Sequence, residues 1–304
     1  MSTLRDAVRA GHVVLDGGLA TTLEAAGHDL GGGLWSARLL LDQPGEIETV
    51  HRAFFAAGAQ VATTASYQAS ELSLQRAGVD PALLPQLLRR SVDAAVAARD
   101  DTCPGGWVAG SVGPYGASLA DGSEYTGRYG LGSHAATVSA LRTFHRPRME
   151  QLLEAGADVL ACETVPRAAE VEALAIELAD LGAPAWVSVT PAPGGASTRH
   201  GEPLAAALEP LAGLANLLAV GVNCCAPEDV LPALQTVHEV TGQPGLAYPN
   251  SGETWDAPTH TWHSRPRWDA DAVRGWAGAG ARLLGGCCRV DPSAILHLVR
   301  VLSS

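Results

Sequence analysis

Eight short apolar runs of strand length alternate with helical patterns along nearly the whole of this 304-residue chain. The runs fall at 13–16, 60–66, 107–111, 158–163, 185–190, 217–223, 245–248 and 281–285. Helical periodicity lies between and after them, at 45–57, 81–99, 134–155, 167–181, 203–214, 227–240, 269–279 and 292–302. Strands that alternate with helices pair in parallel, because each helix is the crossover that returns the chain to the same edge. The helix ends are marked locally. Pro227-Glu228-Asp229 and Asp291-Pro292-Ser293 put proline and acids in a first turn, and Gly58, Gly156 and Gly182 follow last turns. Eight such units predict an α/β fold, a closed (β/α)8 TIM barrel, for which about 250 residues is typical. The competitor is a doubly wound open sheet. It would carry a phosphate-binding G-x-G-x-x-G turn, and the chain has none. With no solenoid repeat, low-complexity tract or linker, the expectation is one domain over 1–304.

Composition narrows the function. Hydrophobic residues make up 47% and charged residues 17%, as in a globular enzyme. A formal charge of −12 argues against nucleic acid or an anionic membrane as partner. No signal-peptide core opens the chain, and no apolar run reaches the ~18 residues of a membrane span. The expected setting is therefore cytoplasmic. There, six cysteines point to metal binding or catalysis rather than to disulfides.

Polar and glycine residues collect where the apolar runs stop, which in a barrel is the rim that carries the active site. These ends include Asp16-Gly17-Gly18, Thr63-Thr64, Glu163-Thr164, Asn223-Cys224 and Gly286-Cys287-Cys288. Turn chemistry also favours glycine and asparagine, but it accounts for neither the thiols nor the lone glutamate. Four of the six cysteines stand in two adjacent pairs, Cys224-Cys225 and Cys287-Cys288, each closing an apolar run. Cys224 and Cys287 are 287 − 224 = 63 positions apart, so only a tertiary fold can join them.

Zinc favours thiolates, and a catalytic site keeps three protein ligands and one exchangeable position. Cys224, Cys287 and Cys288 supply that count. Cys224 is preferred to Cys225 because neighbouring side chains on an extended chain point to opposite faces. Competing readings are a vicinal disulfide, inert buried thiols, or a structural four-coordinate zinc completed by Cys225 or a histidine. Cys103 and Cys162, which stand alone, are read as packing residues. Three thiolates around Zn²⁺ make a poor Lewis acid but leave a bound substrate sulfur electron-rich. That suits attack by a substrate thiolate on an electrophilic carbon.

At these residues the chain resembles the zinc-dependent homocysteine S-methyltransferases. The shared marks are Asp16-Gly17-Gly18, Gly221-Val222-Asn223-Cys224 and Gly285-Gly286-Cys287-Cys288-Arg289. Further likeness, to the bacterial members that use S-methylmethionine, rests on Leu34-Trp35-Ser36-Ala37, Thr64-Ala65-Ser66-Tyr67-Gln68-Ala69 and Ala109-Gly110-Ser111-Val112-Gly113-Pro114-Tyr115-Gly116. It continues through Asp121-Gly122-Ser123-Glu124-Tyr125, Phe144-His145-Arg146-Pro147-Arg148, Ala161-Cys162-Glu163-Thr164 and Tyr248-Pro249-Asn250-Ser251-Gly252-Glu253. The match runs from about Asp16 to Pro292.

The resemblance implies a (β/α)8 barrel with zinc on Cys224, Cys287 and Cys288, and L-homocysteine entering as the fourth ligand through sulfur. A methyl group would come from S-methylmethionine or S-adenosylmethionine, giving methionine. No protein side chain beyond the zinc ligands is implied as catalytic. Asp16 and Glu163 would hold the homocysteine ammonium group, with Gly17 and Thr64 beside the substrate.

Two connections, 115–133 and 252–268, are long for this fold and are read as lid or donor-site segments. The second carries Trp255, Trp262, Trp268, His260 and His263. A sulfonium cation favours aromatic faces and acids, so Tyr115, Glu124, Tyr125, Trp255 and Trp262 are the donor-site candidates. The expected assembly is a monomer or small homo-oligomer. Alternative readings are another zinc thiol or selenol methyltransferase, using selenocysteine or betaine, and a non-catalytic zinc or thiol-binding protein.

Overall fold

The computed structural model describes residues 3–30, 34, 36–256, 261–263 and 268–304, with side chains at 36, 254–256 and 261–263 excluded. All eight expected strands form. They are β1 (Val13–Val14), β2 (Val61–Thr63), β3 (Trp107–Val112), β4 (Val159–Val165), β5 (Ala185–Val189), β6 (Leu217–Asn223), β7 (Gly245–Tyr248) and, after a two-stranded hairpin, β10 (Ala281–Leu284). They pair in parallel in the order β1-β10-β7-β6-β5-β4-β3-β2. A parallel bridge between Leu15 and Val61 brings the first strand back to the second, and Asp16 N–H donates to the Val61 carbonyl at 3.1 Å. The fold is the expected (β/α)8 barrel.

Two apolar layers hold it. The outer one fills the space between strands and helices, where Ile47, Phe54, Leu87, Leu88, Leu174 and Leu234 are buried. The inner one fills the barrel, and its largest member is Trp186. Ala161 and Ala219 are paired in register with Trp186 on the two flanking strands, so small side chains leave room for the indole. Leu4 and Val8 join this inner layer. They sit on the helix Leu4–Ala10, capped by Thr3 and Asp6 in a reciprocal box. This helix is an addition to the sequence expectation, because seven residues with alternating charge carry little periodicity.

Three more helices, Leu19–Ala25, Ser36–Asp42 and Glu71–Arg76, are additions of the same kind. The segment 252–268 also contains more than a loop. Strands β8 (Thr254–Asp256) and β9 (Thr261–His263) form an antiparallel hairpin with Trp255 opposite Trp262. The side chains of Trp255, Trp262 and His263 lie outside the described residues, as do Trp35 and His260 altogether. Among the described residues no helix is long and apolar enough to cross a membrane.

One core residue carries a testable cost. His51, on the helix Pro44–Ala56, is fully buried, and neither ring nitrogen has a hydrogen-bond partner among the described residues. Burial pushes its pKa down to about 4. The folded value lies below the unfolded one, so stability is retained above about pH 6.5 and lost as pH falls towards 4. Denaturant unfolding should show His51→Leu removing about 2 kcal/mol of the stability loss between pH 7 and pH 5. An unchanged pH dependence in that variant would refute the assignment.

Candidate active site

The three sulfurs meet. Cys224, Cys287 and Cys288 place their Sγ atoms within 4.8 Å of one another, with Cys224 and Cys288 at 3.8 Å and Cys287 and Cys288 at 4.0 Å. A tetrahedral zinc with Zn–S bonds of about 2.3 Å needs its sulfurs about 3.8 Å apart, so the donor set and spacing fit that ion. Disulfide bonding needs about 2.05 Å, and all six cysteines are free.

Backbone geometry decides which thiols converge. Strand β6 ends at Asn223, and Cys224 adopts a left-handed conformation with φ +52°. That turn aims Cys224 at the rim and sends Cys225 into the outer apolar layer. Of this pair it is thus Cys224 that faces the other two thiols, through a turn rather than through strand alternation. The other two ligand candidates ride a turn after β10 that approaches the backbone closely. A Cβ on Gly286 would come within 2.1 Å of Val290, and one on Gly18 within 2.5 Å of the Cys287 carbonyl. The turn is bolted by Cys287 N–H to the Pro249 carbonyl at 2.9 Å and Cys288 N–H to Asn250 Oδ1 at 3.1 Å. Arg289 clamps Glu253 through two hydrogen bonds of 3.1 and 3.2 Å. Among the thiols, Cys288 has its pKa pulled well down by hydrogen bonds from Cys224 and then Cys287.

An open cavity adjoins the thiols. Asp16, Gly17, Thr64, Tyr67, Gln68, Tyr125, Glu163 and Thr164 are among its lining residues. The expected substrate contacts Asp16, Gly17, Thr64 and Glu163 thus share one cavity with the three cysteines. Asp16 takes Thr63 N–H on Oδ2 at 2.7 Å and the Thr63 hydroxyl on Oδ1 at 2.9 Å. Glu163 Oε1 accepts from the Ser111 hydroxyl, and no described arginine pairs with it. Both acids are buried, and burial pushes each pKa up to about 7; the neighbouring Glu163 charge adds to the shift at Asp16. Thr64 accepts from Ser111 N–H at 2.9 Å.

The donor-site candidates divide. Tyr125 reaches the thiol side of the cavity, its hydroxyl 3.9 Å from Cys224 Sγ. Glu124 is 4% exposed and not among the cavity-lining residues, and its Oε2 has no hydrogen-bond partner among the described residues. Burial raises its pKa to about 6. Tyr115 goes elsewhere. Its ring packs on Tyr129 and Phe144, with centroids 5.3 and 5.1 Å away, and it is not among the cavity-lining residues.

Buried polar residues around this wall do not stand out in the sequence. Glu170 accepts from Tyr115 N–H at 2.7 Å, from the Tyr129 hydroxyl, and pairs with His145 at 2.8 Å. Arg148 donates to the carbonyls of Gly113 and Tyr67 at 3.1 and 3.0 Å. His145 and Arg148 belong to the Phe144–Arg148 motif, but nothing in one sequence says they are buried, the first bracing the 115–133 segment through Glu170 and the second the backbone at Tyr67 and Gly113.

Fold and site together define a (β/α)8 barrel with a three-thiol centre at the carboxyl rim of its strands. The homocysteine S-methyltransferase family profile matches residues 13–302, and the chain belongs to that family. The homocysteine S-methyltransferase of Escherichia coli (strain K12) is 46% identical over 299 residues, 94% of this chain and 94% of that one. The homocysteine S-methyltransferase YbgG of Bacillus subtilis (strain 168) is 40% identical over 94% of this chain and 93% of its own. The crystal structure of the metallated form of the homocysteine methyltransferase MmuM from Escherichia coli superposes with a TM-score of 0.84. It is 43% identical and covers 96% of this chain and 98% of that chain.

Proposed function

We propose that this protein is a zinc-dependent methyltransferase that moves a methyl group from S-methylmethionine, or from S-adenosylmethionine, to L-homocysteine, giving methionine. The observation that carries the reading is the convergence of Cys224, Cys287 and Cys288 at tetrahedral sulfur spacing beside a cavity holding two buried acids. Family membership supports the acceptor and the reaction class.

The three cysteines would hold the ion. Zinc, when bound, supplies a cation that keeps a substrate thiol ionised near neutral pH while leaving its sulfur nucleophilic. Asp16 and Glu163 bind the acceptor's ammonium group, which orients its sulfur toward the thiols. The charge of that ammonium offsets the cost of ionising two buried carboxylates, so both substrate and site gain from the pairing. Tyr125 offers an aromatic face to a sulfonium from the cavity wall, and the buried carboxyl of Glu124 behind it would add negative charge without touching the donor. The new S–CH3 bond forms in line with the breaking sulfonium S–CH3 bond, and the donor leaves as a neutral thioether. Most of the acceleration comes from proximity and orientation.

Metal analysis of purified protein should give about one zinc per chain. Methionine should form from homocysteine with S-methylmethionine, faster than with S-adenosylmethionine because no glycine-rich nucleotide loop is present. Zinc-loaded protein that turns over neither sulfonium would overturn the reading.

A further inference from the structure

The end of β4 is strained at a functional position. Thr164, directly after Glu163, has φ +60°, a left-handed conformation that a β-branched residue adopts only when its surroundings force it. One side chain holds both the backbone and the hydroxyl of Thr164, and the Tyr67 hydroxyl adds a bond to the same threonine side chain. Asn223 Oδ1 accepts Thr164 N–H at 2.8 Å, and Asn223 Nδ2 donates to Thr164 Oγ1 at 2.8 Å. The two bonds form a closed clamp between the ends of β4 and β6. The Ser188 hydroxyl donates to the same Oδ1 at 2.9 Å and lies 2.5 Å from the Tyr248 hydroxyl. Asn223 and Ser188 are fully buried and Thr164 and Tyr248 nearly so, which makes this a satisfied polar network under the cavity floor. The same asparagine immediately precedes Cys224, whose backbone is also left-handed.

We propose that Asn223 is a positioning residue: its amide locks Thr164 in the left-handed turn that aims Glu163 into the cavity, and so sets acceptor affinity. The proposal rests on the reading of Glu163 as a contact for the acceptor's ammonium group. Without the clamp, Thr164 relaxes to negative φ and the preceding carboxylate swings off its position. Glycine suffers no penalty at positive φ, so a glycine at 164 makes the clamp largely dispensable.

The experiment measures L-homocysteine affinity by calorimetry, and KM and kcat separately, with zinc content determined so that affinity refers to loaded chains. Asn223→Ala should weaken homocysteine about tenfold, mainly in KM, whereas mere loss of folded protein would lower apparent kcat and leave KM alone. In a Thr164→Gly background the same substitution should cost less than threefold. Thr164→Val keeps the shape and the strain but loses Oγ1, and with it the bonds to Asn223 and Tyr67, and should raise KM about fivefold. It serves should Asn223→Ala not accumulate. Equal cost of Asn223→Ala in both backgrounds, or unchanged KM in both Asn223→Ala and Thr164→Val, overturns the proposal. Glu163→Gln is the separate control. If it leaves homocysteine affinity intact, the ammonium reading is at fault; if it weakens binding and the Asn223 variant does not, the positioning role is.

Discussion

Single replacement of Cys224, Cys287 or Cys288 by serine is expected to lower kcat/KM for methyl transfer by about 1000-fold or more, roughly 4 kcal/mol of transition-state stabilisation. A serine hydroxyl is harder and far less acidic than a thiol, so it is a poor ligand for a borderline-soft ion and leaves the site one anion short. With Sγ atoms within 4.8 Å of one another, no described cysteine outside the cluster stands ready to replace a lost one. Zinc per chain, by metal analysis, should fall together with activity. Cys225→Ala is the informative contrast. Its side chain lies in the outer apolar layer, so it should keep zinc and activity within about twofold, at a packing cost of about 1 kcal/mol. A serine variant of any of the three that retained both metal and turnover would show that the cluster is not the centre.

The second large effect concerns Glu163, and it has two opposite halves. Glu163→Gln preserves the acceptor for Ser111 but removes one of the two charges proposed to face the acceptor's ammonium group. The kcat/KM for homocysteine should drop about 100-fold, near 2.7 kcal/mol, carried mostly by KM. In substrate-free protein the same change should stabilise the fold. Burial lifts the Glu163 pKa to about 7, above its ordinary value, so stability is greatest with the acid neutral and is lost as pH rises through 7. Unfolding at pH 8 should therefore show a gain of about 2 kcal/mol in the variant and little gain at pH 5. The wild-type kcat/KM should correspondingly decline below pH 7, where Asp16 and Glu163 take up protons. A variant binding homocysteine within twofold of wild type would remove Glu163 from the acceptor site.

Much of this is written in the chain. The eight strands are legible because each is an apolar run bounded by turn residues, and 217–223 and 245–248 have the predicted limits. The thiol pairs are legible because turn formation alone has no use for adjacent cysteines at the ends of apolar runs. What stays hidden depends on register and on the third dimension. Trp186 looks like any strand residue until Ala161 and Ala219 stand level with it. Asn223 reads as a turn residue until its amide meets Thr164 past the intervening strand β5. The helix Leu4–Ala10 is too short and too charged to announce itself, yet it caps the barrel interior. Tyr115, placed by sequence with the donor site, packs on Tyr129 and Phe144, a contact no single sequence announces.

The thiol pair at 287–288 follows the one strand that joins β7 to β1 and thereby completes the ring. A barrel opened between β7 and β10 would carry two sulfurs away from the third, so with zinc in the proposed site ion retention would double as a gauge of ring closure. Release to a chelator should then track the rarest opening of the seam rather than loop breathing, tying the lifetime of the centre to the unfolding rate of the final strand.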